Sequence, residues 1–105
     1  MTSGVVGTPA YLSPEAVRGE SPHPDFDLWG LSLTLYEAVT GANPFAGTSI
    51  AATMNAILTT PIPDPRELRS DCPQGLSRFL LESLSRQREL RPRSASEFVS
   101  QLPVA

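Results

Sequence analysis

The chain of 105 residues contains no lysine: all eight basic residues are arginine. They form no stripe, and acidic residues exceed them by 11 − 8 = 3, so nucleic acid is not an expected partner. The one cysteine, Cys72, excludes an internal disulfide and fits a reducing compartment, taken here as the cytoplasm. The one histidine, His23, lies in a proline-flanked polar turn with no second ligand, so no metal site is expected. Met1 to Gly4 carries no basic residue and no long apolar run follows, so no signal peptide is expected.

Proline is plentiful by contrast, with 11, and it falls mainly between helix signals as punctuation. Ser13 suits an N-cap, Pro14 the first helical position, and Glu15 the positive end of the helix dipole. That short helix is expected to run to about Arg18 and stop at Gly19. After Thr48 or Ser49 as cap, Ile50, Met54, Ile57 and Leu58 mark an inward face, with Ala51, Ala52, Thr53 and Asn55 outward. The stretch 59–73 reads as a proline-spaced connector pinned through Ile62 and Leu68. A further helix is expected over 74–84, facing inward through Leu76, Phe79, Leu80 and Leu84. A last one opens with the capping box Ser94/Glu97 and buries Phe98 and Leu102. No strand pattern appears, so the fold class is all-α.

The chain is organised around DFDLWGLSLTLYEAVTG, residues 25–41. Its apolar residues fall on every side of a helical wheel, which places such a helix in a protein centre or a membrane. A membrane span needs about 20 apolar residues, and this run is shorter and carries Asp27 and Glu37. The expectation is a buried central helix, capped by Asp25 and ended by Gly41, with about five short helices around it.

Asp27-Leu28-Trp29-Gly30-Leu31-Ser32, then Leu35-Tyr36-Glu37, Thr40-Gly41 and Asn43-Pro44-Phe45, resembles the central C-lobe helix of protein kinases. Upstream, Gly7-Thr8-Pro9-Ala10-Tyr11-Leu12-Ser13-Pro14-Glu15 is similar to the end of a kinase activation segment, closing in an Ala-Pro-Glu-type triplet. The GTPAY form resembles bacterial-type serine/threonine kinases. The resemblance implies one partial kinase domain over 1–105, with 1–12 the end of the activation segment and 13–105 the lower, helical part of the C-lobe.

It also implies site residues. Gly7, Thr8, Pro9 and Tyr11 match the platform that receives a protein substrate, although Thr8-Pro9 alone reads as an ordinary turn. Glu15 and Arg91 match a long-range buried ion pair; alone, Glu15 is a helix-start acid and Arg91 one of four arginines in 86–93. Asp27 matches an anchor for the catalytic loop, or it simply complements the helix dipole. Thr2 and Ser3 stand where activation-loop phosphates would be, or in a frayed terminus. Ser32 departs from the family's usual glycine. The helix after Phe45 matches a docking surface at the substrate-facing edge.

Phosphoryl transfer requires a Gly-rich loop, a nucleotide-binding lysine, a catalytic aspartate and Mg²⁺ ligands. None of these motifs occurs, so no catalytic, metal or cofactor-binding residue is expected in this chain, and ATP and Mg²⁺ belong to the full-length family. Alone, the chain is expected to be inactive. Its expected partner is a protein substrate or the missing half of a kinase. The alternative is a non-catalytic interaction module that keeps a docking surface, and a third reading is an unrelated helical bundle.

Overall fold

A computed structural model describes residues 9–103. A 3₁₀ turn at Pro9–Tyr11 leads into six α-helices: α1 (Pro14–Val17), α2 (Pro24–Thr40), α3 (Ile50–Thr59), α4 (Pro65–Leu68), α5 (Gln74–Ser83) and α6 (Ala95–Gln101). A second 3₁₀ turn, Arg88–Leu90, precedes α6, and no strand occurs among the described residues. The all-α expectation holds, with five helices arranged about the long α2.

The helix starts follow side-chain chemistry. Ser13, Ser49 and Ser94 each accept a backbone N–H from the first turn of the helix they precede, at 3.1, 3.0 and 3.1 Å. Glu97 answers Ser94 by accepting the Arg93 amide at 3.1 Å, one residue outside the usual reciprocal bond. The start of α2 differs from expectation. His23 is its cap, accepting the Asp25 amide through Nδ1 at 3.1 Å, and Asp25 lies inside the first turn. Pro24 takes the first helical position, where a missing N–H costs nothing, so the helix begins two residues earlier. At the other end Gly41 adopts φ 81° and donates to Glu37 at 2.7 Å, a left-handed cap that residues with a Cβ adopt only at a cost.

The core gathers Trp29, Leu33, Tyr36, Phe45, Ile57, Leu80 and Leu84, each almost fully buried. Each such side chain contributes about 1.5–3 kcal/mol over its exposed state. α2 packs on α4 and α5, while α3 lies against α1 and the first 3₁₀ turn. Phe98 of α6 meets Phe79 of α5 edge-to-face at 5.1 Å, which closes the chain onto the core.

α2 is buried on one side only. Leu28, Trp29, Ser32, Leu33 and Tyr36 face inward, whereas Asp27, Leu31, Thr34 and Ala38 form an exposed stripe. Leu31 is 49% exposed. Ser32 fits its buried position because its hydroxyl donates to the Leu28 carbonyl at 2.7 Å.

α3 is rotated from the expected face. Thr53 and Ile57 point inward, and Ile50 is 47% exposed with Met54 and Leu58 half-buried. A polar residue can take the inward position because the Thr53 hydroxyl accepts the Gly47 amide at 2.8 Å. A Cβ on Gly47 would lie 3.1 Å from the Ala52 Cβ and 3.2 Å from the Thr53 nitrogen, so glycine permits that approach. Ile62 packs on the core as expected, while Leu68, at the end of α4, is 46% exposed. No described helix is long and apolar enough to cross a membrane.

Candidate functional site

Charged groups from opposite ends of the chain meet beside the buried edge of α2. Arg91, directly after the second 3₁₀ turn, donates from Nη1 and Nη2 to the two carboxylate oxygens of Glu15 in α1, at 2.9 Å each. Both side chains are about 95% buried. Arg91 Nε donates to the Ser85 carbonyl at 2.7 Å, and its guanidinium lies 4.9 Å from the centroid of the Trp29 ring. The forked geometry explains arginine here: one planar cation satisfies a carboxylate, a carbonyl and an aromatic face together. Burial alone would raise the Glu15 carboxyl, but the Arg91 hydrogen bonds and charge outweigh it and hold the group below the usual carboxylate range.

A second pair sits nearby. Arg88 donates to Asp25 from Nε at 2.6 Å and from Nη2 at 2.9 Å, and reaches Glu20 at 3.3 Å. The Arg88 hydrogen bond is the main reason the Asp25 carboxyl lies below its ordinary range. His23 Nδ1 is 2.9 Å from the same carboxylate. Sequence reading missed this pair. Asp25 passed as a helix cap and Arg88 as one member of an arginine-rich turn, and the only signal was an acid with an arginine 63 positions later.

Arg86 was missed as well. Its Nε donates to the Ile57 carbonyl at 2.9 Å, and its Nη2 to the Ala56 and Thr60 carbonyls at 3.2 and 2.5 Å. All three carbonyls lie at the end of α3, and the Ala56 oxygen also accepts the Thr60 amide at 2.8 Å. Of the four arginines in 86–93, three therefore have separate structural partners.

The turn before α1 carries the remaining described residues of interest. Pro9 and Tyr11 belong to one 3₁₀ turn, and the Tyr11 hydroxyl donates to Glu37 of α2. That hydrogen bond, followed by burial, raises the phenol above its ordinary range. Asn43 donates to the Ala10 carbonyl at 3.4 Å and accepts the Phe45 amide at 2.8 Å, tying the turn to the Asn43-Pro44-Phe45 loop. The structure thus holds the turn of Tyr11 against α2, directly ahead of the Glu15–Arg91 pair. Thr2, Ser3, Gly7 and Thr8 lie outside the described residues. Asp27 stands apart, exposed in the first turn of α2, where it hydrogen-bonds no described residue. It therefore avoids the cost of a buried, unsatisfied carboxylate.

An open groove of about 760 Å³ runs beside α5, lined by Asp64, Arg66, Glu67, Arg78, Glu82 and Leu90 among others. Charges of both signs line it, so it selects no one class of ligand. Among the described residues no three His, Cys, Asp or Glu side chains converge to hold a metal ion.

An all-α assembly joined by a buried carboxylate–arginine clamp, with the DLWGLS and SPE motifs on adjoining helices, belongs to a known class. Residues 1–102 match the family described as the protein kinase domain, and the chain belongs to that family. Among its relatives is the DNA damage-responsive serine/threonine-protein kinase RqkA of Deinococcus radiodurans, 37% identical over 95 residues, which make up 90% of this chain and 14% of that protein. The tyrosine-protein kinase MasK of Myxococcus xanthus is 36% identical over 101 residues, covering 96% of this chain and 16% of MasK. The serine/threonine-protein kinase PknB of Mycolicibacterium smegmatis is 34% identical over 102 residues, with the same two coverages. The chain spans about one-seventh of the length of these curated relatives.

Proposed function

We propose that these residues form the substrate-facing, lower part of a serine/threonine protein kinase C-lobe, from the end of the activation segment (1–12) through the helical subdomain (13–105). One observation carries the reading. A carboxylate directly after Ser13-Pro14 and an arginine directly before Pro92, 76 positions apart, pair through both oxygens in a buried site. These are the two positions at which the family resemblance implies a pair. In this reading Gly7, Thr8, Pro9 and Tyr11 line the platform for a protein substrate, and Thr2 and Ser3 are phosphorylation sites. Asp27 faces a catalytic loop supplied by a larger protein. The half-exposed stripe Ile50, Met54 and Leu58 on α3 serves as a docking edge.

The nucleotide and Mg²⁺ used by the family do not fit the residues present. There is no lysine for the phosphates and no Gly-rich loop, and the described acids form no metal-binding group. No chemical step is assigned to this chain. Its contribution to ATP-dependent phosphorylation is to hold and select the protein substrate.

The test is a chimera in which residues 1–102 replace the matching segment of RqkA. ATP-dependent phosphorylation of serine or threonine in a protein substrate is expected to survive, and Glu15→Ala is expected to abolish it. A folded chimera that transfers no phosphate would contradict the reading and favour a non-catalytic interaction module. Phosphotyrosine as the product would overturn the serine/threonine assignment, a live outcome given the likeness to MasK.

A further inference from the structure

Two guanidinium groups enclose two aromatic rings in the core. Arg86 lies 5.9 Å from the centroid of the Phe45 ring, and Phe45 stacks on Trp29 at 6.1 Å with 18° between planes. Arg91 lies 4.9 Å from the Trp29 ring. Phe45 and Trp29 are almost fully buried, so the stack is rigid and shielded from water. At one end Arg91 grips Glu15. At the other, Arg86 grips the end of α3.

α3 needs that grip. It has no basic residue in its last turn, and its C-cap is Thr60 in an extended conformation rather than a left-handed glycine. Helices ended in this way leave carbonyls that look for donors. Arg86 supplies donors from outside the helix, reaching the carbonyls of Ile57 and Thr60 and sharing that of Ala56 with the Thr60 amide, all with one planar group. A lysine has one point charge and could not span these acceptors while also sitting over Phe45.

We propose that Arg86 is a positioning residue: it sets the pose of α3 on the aromatic stack that also carries the Glu15–Arg91 pair, and so fixes the Ile50, Met54 and Leu58 stripe on which a protein substrate docks. The docking half of this proposal rests on the function proposed above; the clamp itself does not. Arg86 touches no substrate. It fixes the angle between the docking edge and the platform around Pro9 and Tyr11, and both must be in register for one protein to engage them together.

Two experiments separate the halves. In the 105-residue chain, Arg86→Gln is expected to speed hydrogen exchange at the amides of 57–60 roughly tenfold, with Arg86→Lys intermediate and the amides of α1 and α6 unchanged. Unchanged exchange at 57–60 in a folded variant would overturn the clamp. If Arg86→Gln does not fold, Arg86→Lys carries the same test, and wild-type exchange in it would be equally contrary. In the RqkA chimera, Arg86→Gln is expected to raise KM for a protein substrate roughly tenfold. The kcat, the KM for Mg-ATP and the KM for a short peptide that cannot reach α3 should hold, and Arg86→Lys should restore part of the loss. A fall in kcat with unchanged KM, or no change at all, would overturn the positioning role. An inactive unsubstituted chimera would remove the docking half with the reading beneath it, while exchange still decides the clamp.

Discussion

Arg91 and Glu15 meet through both ends of the guanidinium, at 2.9 Å each, across 76 positions of chain. The pair joins the short helix α1 to the turn before α6, two pieces with little apolar surface of their own. Glu15→Ala leaves a buried arginine charge stranded between Trp29 and the Ser85 carbonyl. A loss of about 3–5 kcal/mol is expected, read from urea unfolding. Replacing both partners with apolar residues, Glu15→Leu with Arg91→Met, is expected to recover a large part of that loss. A single variant as stable as wild type would show that the clamp holds nothing together.

Acid should unfold the protein through the same contacts. The Glu15 and Asp25 carboxyls both lie below their unfolded values, so folding binds fewer protons than unfolding does. Their contribution is fully present above the unfolded carboxylate range of about 4–4.5 and is lost as pH falls through the lower folded values. At the alkaline end burial pushes the Tyr36 phenol up to about 12, with Asp64 and Glu67 adding to it. The unfolded tyrosine ionises first, so stability is expected to decline as pH rises from about 10 toward 12. Unfolding curves recorded across pH check both limbs, and Tyr36→Phe should flatten the alkaline one.

Arg88→Gln tests the second pair. Arg88 is more exposed than Arg91, with 38% of its side chain accessible, so solvent screens part of the interaction. A loss of about 1–2 kcal/mol is expected, smaller than that for Arg91. The acid limb should also become shallower, since Asp25 would lose the main cause of its depression. A loss equal to that of the Glu15 variant would mean the two pairs had been ranked wrongly.

Helix order and most boundaries were legible in the sequence because the caps are short-range. Ser13, Ser49 and Ser94 announce helix starts within four residues, and Gly41 announces an end. The Glu15–Arg91 contact could be named only through the family resemblance, since nothing local links those positions. His23 escaped notice as a cap because histidine is not among the residues that commonly cap helices. The face of α3 was misjudged because periodicity favours the most apolar stripe. A single hydrogen bond from the Gly47 amide lets Thr53 take the inward position instead. Arg86 and Arg88 act through partners far away in sequence, at Ala56 to Thr60 and at Asp25, and a local reading sees only charge.

The exposed stripe of α2 predicts association behaviour. Leu31 is 49% exposed beside Asp27, Thr34 and Ala38, on a helix whose sequence is apolar on every side. Leu31→Glu should reduce binding of a hydrophobic dye and light scattering by the chain, while changing stability by no more than about 0.5 kcal/mol. A large loss of stability would show that Leu31 supports the fold rather than offering a surface.

The central claim is that this chain carries the substrate side of a kinase without its nucleotide chemistry. Calorimetric titration of the purified 105-residue chain with Mg-ATP tests it most directly. The account predicts no saturable heat, because the chain has no lysine and no Gly-rich loop to hold phosphates. Saturable binding at micromolar affinity would contradict it.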